Sequence, residues 1–545
     1  MRAFSQLLDR LSLEPRRLAK EALLMRYFLE TPDPDRGYAL AALTGGLNFK
    51  HAKPALLRSL ISERTDPQLF ALSYDFVGDL SETIALMWPQ NLATDGQSQM
   101  LALSEVVDQL KRAGKTDVPR LLTAWLDDLD DTGRWALLKL VTGGLRVGVS
   151  ARLAKTAVAR LGDLETSQVE EVWHGLEPPY EVLFAWVEGR TGPPDNDDPA
   201  PFRPVMLAHP LDEDKDLAQL VASDFAVEWK WDGIRVQAAA GRSQTGESVN
   251  RLYSRTGEEI SRAFPDLLDA LDFDACIDGE LLIIKDGRVL PFSDLQKRLN
   301  RKTAGPKLVK SYPAAIRAYD LLHLEGEDLR GLPFSERRNR LSTFIASLQD
   351  PRIDLSPLTS VGDWQEIAAA RADPGQFLDK DNAAVVEGVM LKRWDSSYVN
   401  GRPKGLWFKW KREPFLIDAV LMYAQRGHGK RSSFYSDYTF GVWRDGDNGP
   451  ELVPVGKAYF GFTDEELREI DRFVRNNTVN RFGPVREVQH DMETGLVLEV
   501  AFEGLNRSTR HKSGVAMRFP RISRLRWDKP TGEADRIENL EALLP

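Results

Sequence analysis

The sequence predicts three domains, an all-helical domain followed by a mixed α+β domain and a small β-barrel. Three observations lead to this prediction. The 545 residues are too many for a single hydrophobic core, at roughly 100–200 residues per domain. Helical periodicity gives way to strand alternation after a proline- and glycine-rich stretch at residues 189–204. Short alternating segments then continue beyond residue 413, as in small barrels.

The first part, residues 1–188, has the pattern of amphipathic helices. Apolar residues recur every three or four positions, as in Phe4, Leu7, Leu8 and Leu11, and strand-like alternation is scarce. Residues 189–204 contain five prolines, two glycines and a short acidic cluster, which leave little apolar surface to bury. We interpret them as an exposed linker.

The middle part, residues 205–413, has the pattern of an α+β domain with considerable antiparallel sheet. Apolar and polar side chains alternate over residues 227–236 on both sides of an Asp232-Gly233 turn signal. Further strands are predicted at Ala275–Ile284, Ile316–Leu322 and Val385–Lys392.

The last part, residues 414–545, has the pattern of a small β-barrel. The pattern predicts a helix at Asp464–Val474 and strands at Phe415–Met422, Tyr438–Val442 and Leu496–Phe502.

The net charge of −10, from 72 basic and 82 acidic residues, argues against a uniformly basic nucleic-acid-binding surface but permits a local one. Between Leu505 and Pro530 there is one acid, Asp528, and there are eight basic residues: Arg507, Arg510, Lys512, Arg518, Arg521, Arg524, Arg526 and Lys529. Such a run is most often a solvated face. The interleaved Phe519 and Trp527 favour nucleic-acid contact as the alternative.

A single cysteine, Cys276, excludes a disulfide framework and a cysteine-rich zinc module within the chain. Its apolar neighbours predict a buried core position. Charged residues interrupt the first 17 positions, so no apolar signal core is expected. No stretch approaches about 18 uninterrupted apolar residues, so we expect no membrane span.

The segment Glu228-Trp229-Lys230-Trp231-Asp232-Gly233-Ile234-Arg235 combines residues suited to covalent nucleotide chemistry. Lys230 is at the end of a predicted strand, with Glu228 and Asp232 two residues to either side, so all three side chains project from one face. For so short a motif, an ion-paired strand face is the alternative. A histidine or cysteine nucleophile is not favoured, and Gly427-His428-Gly429-Lys430 lacks the spacing of a phosphate-binding loop.

Acids and cations recur on the other predicted strands of the same domain. The segments are Ser254-Arg255-Thr256-Gly257, Asp278-Gly279-Glu280-Leu281, Tyr319-Asp320, Glu387-Gly388-Val389-Met390-Leu391-Lys392 and Trp407-Phe408-Lys409-Trp410-Lys411. Together they suit a nucleoside triphosphate, because carboxylates hold Mg²⁺ and cations neutralise phosphate charge. A lysine can itself be the nucleophile if burial and adjacent cations lower its pKa.

In this order, the segments resemble the motifs of the ATP-dependent DNA ligases, which belong to the superfamily of covalent nucleotidyltransferases. Lys230-x-Asp232-Gly233-x-Arg235 resembles the nucleophile motif, and the run from Arg518-Phe519-Pro520-Arg521 to Lys529 resembles the last motif. The stretches 38–45 and 142–148 resemble parts of the DNA-binding domain of larger ligases. The resemblance therefore implies a helical DNA-binding domain (1–188), a linker (189–204), an adenylation domain (205–413) and an OB-fold barrel (414–545).

The resemblance also implies a role for each motif residue. Lys230 would attack ATP and carry AMP, while Glu228 would bind the adenine amino group and Tyr319 would stack on the base. Glu280 would hold the ribose and, with Glu387, the metal ion (Mg²⁺ or Mn²⁺). The ribose and phosphates would be contacted by Arg235, Arg255, Lys409, Lys411, Arg518, Arg526 and Lys529.

The expected partner is nicked duplex DNA, which the barrel and the helical domain would bind. A Gly-Gly-x-Arg turn lets backbone N–H groups approach a phosphate, although a plain helix-ending turn is the alternative there. The DNA-contacting residues would be Gly143, Gly144, Arg146, Arg507, Arg510 and Lys512. We expect a monomer in the bacterial cytoplasm that acts in DNA repair or replication, without a membrane contact.

Three related enzymes and one non-enzyme are the alternatives. A capping guanylyltransferase or an RNA ligase would not be expected to carry so long a helical domain. An NAD⁺-dependent ligase would be expected to carry a four-cysteine zinc site, which one cysteine cannot build. A catalytically silent nick-binding protein would not need Lys230 and its surrounding acids and lysines.

Overall fold

The computed structural model describes residues 1–77, 79–89, 101–194, 198–299, 301, 303–426, 434–446, 449–508 and 511–544. In the described part of residues 1–188 the regular segments are helical, and their apolar faces share one core that includes Leu8, Phe28 and Leu137. The α-helices are α1 (Arg2–Leu13), α2 (Arg17–Glu30), α3 (Asp35–Thr44), α4 (Pro54–Ser62), α5 (Pro67–Val77), α6 (Leu80–Met87), α7 (Leu103–Arg112), α8 (Asp117–Asp128), α9 (Asp131–Thr142), α10 (Ala151–Leu161), α11 (Thr166–Val172) and α12 (Glu181–Val187).

The stretch interpreted as an exposed linker is buried in its last part, so that interpretation is wrong for Ala200 and Phe202. The ring of Phe202 lies 5.1 Å from that of His174 in the helical part and 5.5 Å from that of Tyr253 in the middle part, centroid to centroid. One aromatic side chain among prolines is enough to anchor the segment, because burying it removes a large apolar surface from water.

The middle part contains two β-sheets with helices around them. Its strands are β1 (His209–Pro210), β2 (Phe225–Trp231), β3 (Ile234–Arg242), β4 (Ser248–Ser254), β5 (Ala275–Lys285), β6 (Arg288–Val289), β7 (Ala314–Leu324), β8 (Glu327–Asp328), β9 (Ile353–Leu355), β10 (Val386–Arg393) and β11 (Trp407–Lys411). Its helices are α13 (Glu213–Asp216), α14 (Pro265–Leu268), α15 (Phe292–Leu299), α16 (Pro306–Ser311), α17 (Phe334–Leu348), α18 (Trp364–Ala372) and α19 (Lys380–Ala384).

The order of strands in the smaller sheet is β1-β11-β10-β2, and in the larger it is β4-β3-β5-β7-β8, with β6 on β5 and β9 on β7. The strands predicted within 275–284, 316–322 and 385–392 are confirmed with bounds that differ by a few residues. Cys276 is fully buried, as its neighbours predict.

The last part contains a sheet in which β12 pairs with three partners. Its elements are β12 (Phe415–Arg426), β13 (Tyr435–Gly446), β14 (Gly449–Ala458), α20 (Asp464–Asn476), β15 (Thr478–Phe482), β16 (Val485–Val488), β17 (Val497–Phe502), β18 (Gly504–Arg507), β19 (Val515–Arg518), β20 (Arg521–Arg526) and α21 (Ile537–Glu541). Strand β12 pairs with β13, β16 and β17, and β17 continues to β20. Residues 427–430, the glycine-rich stretch discussed above, lie outside the described residues.

The three parts contact one another through polar side chains. Asn400 of the middle part donates to Glu170 of the helical part at 2.9 Å, and Arg330 pairs with Glu171 at 2.5 Å. Lys411 pairs with Glu503 of the last part at 2.8 Å. Within the described ranges, no helix combines the length and the hydropathy that crossing a membrane requires.

Candidate active site

The turn after β2 brings Lys230 next to β5. A Cβ atom built on Gly233 would lie 2.5 Å from the carbonyl oxygen of Leu281 and 2.8 Å from Cγ of Glu280. Only glycine fits so close an approach, because any side chain would push the turn away from β5. The Asp-Gly dipeptide therefore determines that Lys230 and Glu280 line the same cavity.

A bulge in β10 turns Glu387 toward Lys230. The pairing of β10 with β2 shifts by one residue between Val386 and Val389. Gly388 has a φ of 140°, and a Cβ atom there would lie 2.2 Å from the carbonyl oxygen of Trp410. The bulge re-aims the neighbouring side chain, and Oε2 of Glu387 lies 2.7 Å from Nζ of Lys230.

These residues line a cavity of about 490 Å³. Strand pairing orders its residues along the smaller sheet in three rows that are about 7 Å apart. The first row contains Lys392 and Trp407, and the second contains Glu228, Met390 and Lys409. The third row lies at the bulge, where Glu387 contacts both Lys230 and Lys411. The rings of Trp407 and Tyr319 surround Lys392 at one end, which suits a base, and the other end is highly charged, which suits phosphates.

The charged residues at the phosphate end of the cavity shift one another's pKa values. Burial lowers the pKa of Lys230, but Glu387, Glu280 and Asp232 outweigh burial and raise it above its ordinary value. Glu387 has a pKa of about 2 because Lys230 and Lys411 outweigh its burial. Burial beside Glu387 raises the pKa of Glu280 to about 7. The lowered lysine pKa expected of a nucleophile is therefore found at Lys409, through burial and neighbouring cations, and not at Lys230.

The last part of the chain, residues 414–545, closes this end of the cavity. Arg518 on β19 forms an ion pair with Asp232, and its other terminal nitrogen lies 3.5 Å from Glu387. Glu503 pairs with Lys411 at 2.8 Å. The middle part and the last part of the chain therefore each contribute a cation to a carboxylate of the other, and these ion pairs hold the last part over the cavity.

The structure brings most of the predicted nucleotide-binding residues into this one cavity: Glu228, Lys230, Arg235, Arg255, Glu280, Tyr319, Glu387, Lys409, Lys411 and Arg518. Arg526 and Lys529 do not line it. Both pair with Asp418 of β12, at 3.2 Å and 2.7 Å.

The predicted DNA-contacting residues lie apart from the cavity. Gly143 ends α9 in the left-handed conformation, Arg146 is exposed, and nothing lies within 4 Å of a Cβ built on Gly143 or Gly144. In the last part of the chain, Arg507 and Lys512 are exposed. Arg510 lies outside the described residues.

Sequence reasoning missed two buried groups behind the cavity wall. Arg338 on α17 donates to Glu228 at 3.3 Å, and no motif marks it. Tyr398 donates to Asp278 at 2.5 Å, and Arg235 donates to both, at 2.5 Å to Asp278 and 2.8 Å to Tyr398. In the sequence, Tyr398 lies between two of the motifs, and this position does not predict its contact with Asp278.

The carboxylates of the cavity fit a metal ion that takes the rest of its coordination from phosphates. Within the described residues, no three His, Cys, Asp or Glu side chains are grouped closely enough to hold a metal alone. Glu280 and Glu387 nevertheless line the same cavity. Mg²⁺ bound with a nucleotide commonly takes one or two carboxylates and completes its shell with phosphates and water.

Comparisons with known proteins agree with this geometry. Residues 205–411 match the protein family described as "ATP dependent DNA ligase domain", and residues 431–529 match the family described as "ATP dependent DNA ligase C terminal region". A probable DNA ligase of Koribacter versatilis is 34% identical over 426 residues, which are 75% of this chain and 71% of that protein. DNA ligase 1 of Korarchaeum cryptofilum is 32% identical over 431 residues, or 78% and 74% of the two chains.

A solved structure named Pmar-Lig_PreS3 covers 96% of this chain and 99% of its own, with a TM-score of 0.56 and 15% sequence identity. At that identity the likeness concerns the fold alone.

Proposed function

This chain belongs to the ATP-dependent DNA ligase family and is an enzyme that seals DNA nicks with ATP, and we propose that Lys230 carries the AMP. The observation that supports this proposal is the position of Lys230, whose amine contacts Glu387 in a cavity that also contains Glu280, Lys409 and Lys411. A lysine amine among phosphate-binding groups can act as a nucleophile toward phosphorus.

In the first step, Nζ of Lys230 gives up a proton to water and attacks the α-phosphorus of ATP. A phosphorus–nitrogen bond forms, the bond to the β-phosphate oxygen breaks, and pyrophosphate leaves. Lys409 and Lys411 neutralise the charge on the α-phosphate, and Arg518 faces the pyrophosphate from the barrel. A magnesium ion held by Glu280 and Glu387 would offset the negative charge that keeps Lys230 protonated.

The rest of the cavity orients the nucleotide. Glu228 accepts a hydrogen bond from the adenine amino group, and the ring of Tyr319 stacks on the base. Glu280 holds the ribose, with Arg235 and Arg255 beside the ribose and phosphates.

In the second step AMP passes from Lys230 to the 5′-phosphate at a nick, and in the third the 3′-hydroxyl displaces AMP and closes the strand. We propose that residues 1–188 form the DNA-binding domain, with Gly143, Gly144 and Arg146 at a backbone phosphate. The barrel is proposed to be an OB-fold that grips the duplex through Arg507, Arg510 and Lys512. Arg526 and Lys529, which would bind pyrophosphate by family analogy, can do so only after leaving Asp418. Action as a cytoplasmic monomer in repair stays a prediction from the sequence.

Replacing Arg518 by alanine is expected to slow adenylation of Lys230 by about 10–100-fold, because a charge-assisted contact to pyrophosphate is lost. Sealing of a nick that already carries 5′-AMP should change much less. Rapid-quench measurement of the two steps checks the prediction, and an equal loss in both steps would contradict it.

DNA affinity is expected to fall steeply with salt, despite the acidic net charge. If six to ten phosphates are contacted, affinity should decrease by about 10³–10⁵-fold between about 50 and about 200 mM salt. Fluorescence anisotropy with a labelled nicked duplex measures this slope. A salt-insensitive complex would argue against binding through local basic surfaces.

The proposed function is tested with α-labelled ATP followed by a substrate chase. A covalent adduct should form with ATP and not with NAD⁺, and added nicked DNA should remove the label from the protein as the strand is sealed. If sealing requires a nicked RNA duplex, the substrate class is wrong. A protein that binds nicks without forming any adduct would show that Lys230 is not catalytic.

A further inference from the structure

Glu228 is a buried carboxylate that forms ion pairs with two cations. Its side chain is almost fully inaccessible, yet it contributes to the wall of the nucleotide cavity. Nζ of Lys392 lies 2.7 Å from Oε2, and Nη1 of Arg338 donates to Oε1 at 3.3 Å. The two carboxylate oxygens therefore have separate cationic partners, which fix the plane of the carboxylate.

Each of the two cations is itself held in place. The ammonium of Lys392 lies in a cage of three aromatic rings, at 4.2 Å from the ring centroid of Tyr319, 4.7 Å from that of Trp407 and 4.9 Å from that of Phe334. Desolvated cation–π contacts favour this position. The second terminal nitrogen of Arg338 donates to the carbonyl oxygen of Ser356. Neither cation needs a ligand to be ordered.

Two buried cations on one carboxylate have a chemical consequence for the ligand. An ionised carboxylate can only accept hydrogen bonds, and its two oxygens offer about four lone-pair sites. Lys392 and Arg338 occupy two of these sites. The remaining lone-pair sites of a residue that lines the cavity can accept a hydrogen bond from a ligand, for example from an exocyclic amino group. A ligand edge without a donor leaves the carboxylate with an unsatisfied acceptor.

We propose that Lys392 and Arg338 are positioning residues that aim the carboxylate of Glu228 at the 6-amino group of adenine and thereby set the preference for ATP. The inference rests on the proposed function, since it requires that ATP loads Lys230. It assigns no contact with the nucleotide to Arg338. Lys392 lines the cavity next to the ring of Tyr319 and acts on the base through Glu228.

The test compares ATP with purine riboside triphosphate, which lacks the 6-amino group. The measured quantity is the ratio of kcat/KM for nucleotidylation of Lys230 by the two triphosphates. The wild-type ratio is expected to exceed about tenfold, as for a well-placed hydrogen bond in a buried site. In Lys392→Met and in Arg338→Met the ratio should fall by at least about fivefold, and Arg338→Lys should restore most of it.

Arg298→Met is the matched control. Arg298 is also a fully buried cation of the same domain, paired with Asp266 at 2.5 Å, but it does not line the cavity. This variant should lower the melting temperature and leave the ratio at the wild-type value. If Lys392→Met does not fold, the pair Arg338→Met and Arg338→Lys decides the question, because Arg338 is only one of the two supports.

The outcomes separate the inference from the proposed function. If wild-type protein forms no adduct with ATP, the proposed function fails. If the adduct forms and both substitutions lower kcat/KM equally for the two triphosphates, Lys392 and Arg338 are merely structural and the inference is overturned. A ratio near one in the wild-type protein would likewise overturn it, because Glu228 would not read the amino group.

Discussion

Replacing Lys230 by alanine is expected to abolish the covalent AMP adduct and to lower nick sealing with ATP by about 10⁴-fold or more. The reason is that Lys230 is proposed to provide the phosphorus-bound nitrogen, and losses of this size are typical of removed nucleophiles. Gel autoradiography with α-labelled ATP measures the adduct, and conversion of a labelled nicked duplex measures sealing.

The control for Lys230→Ala is a nick that already carries 5′-AMP. Its sealing does not pass through the lysine, so the variant should retain much of the wild-type rate with this substrate. A variant that is inactive with both substrates would indicate a folding defect. An undiminished adduct in Lys230→Ala would contradict the assignment outright.

Replacing Glu387 by glutamine is expected to slow adenylation of Lys230 by about 10²–10³-fold. Glutamine keeps the size of the side chain but removes a charge that Lys230 contacts at 2.7 Å, Lys411 at 3.4 Å and Arg518 at 3.5 Å. The amide keeps only one acceptor oxygen and carries no charge, so the three cations lose their common carboxylate and their positions in the cavity are no longer fixed. Single-turnover adduct formation measures the effect.

The matched control for Glu387→Gln is Glu327→Gln. Glu327 also pairs with an arginine, Arg340 at 2.7 Å, but it is an exposed residue of β8 that does not line the cavity. This control should adenylate at the wild-type rate, since exposed ion pairs contribute little. Equal activity of the two variants would mean that Glu387 has no part in positioning Lys230.

Local sequence rules predicted the cavity residues well because the cavity is built from strand faces. Side chains two apart share a face, so Glu228 and Lys230, like Lys409 and Lys411, could be placed together from spacing alone. The Asp-Gly signal after Trp231 also predicted a turn whose position against β5 the structure explains by the absence of a Cβ atom.

Features that depend on contacts between residues far apart in the sequence could not be predicted from local patterns. The raised pKa of Lys230 results from Glu387, which reaches it only because β10 bulges at Gly388. Arg338 occupies a helix position without a motif, and its role depends on how α17 packs against β7 and β9 and brings Arg338 to Glu228 of β2. The burial of Phe202 could not be predicted from its proline-rich segment, because the average composition of a segment does not show that one of its side chains is buried.

The most direct test of the covalent mechanism is peptide mapping of the AMP adduct. The protein is incubated with ATP and Mg²⁺, digested, and analysed by tandem mass spectrometry. The mechanism predicts AMP on Lys230 alone, released when nicked DNA is added before digestion. AMP on Lys409, Lys411 or any other side chain, with Lys230 unmodified, would contradict it.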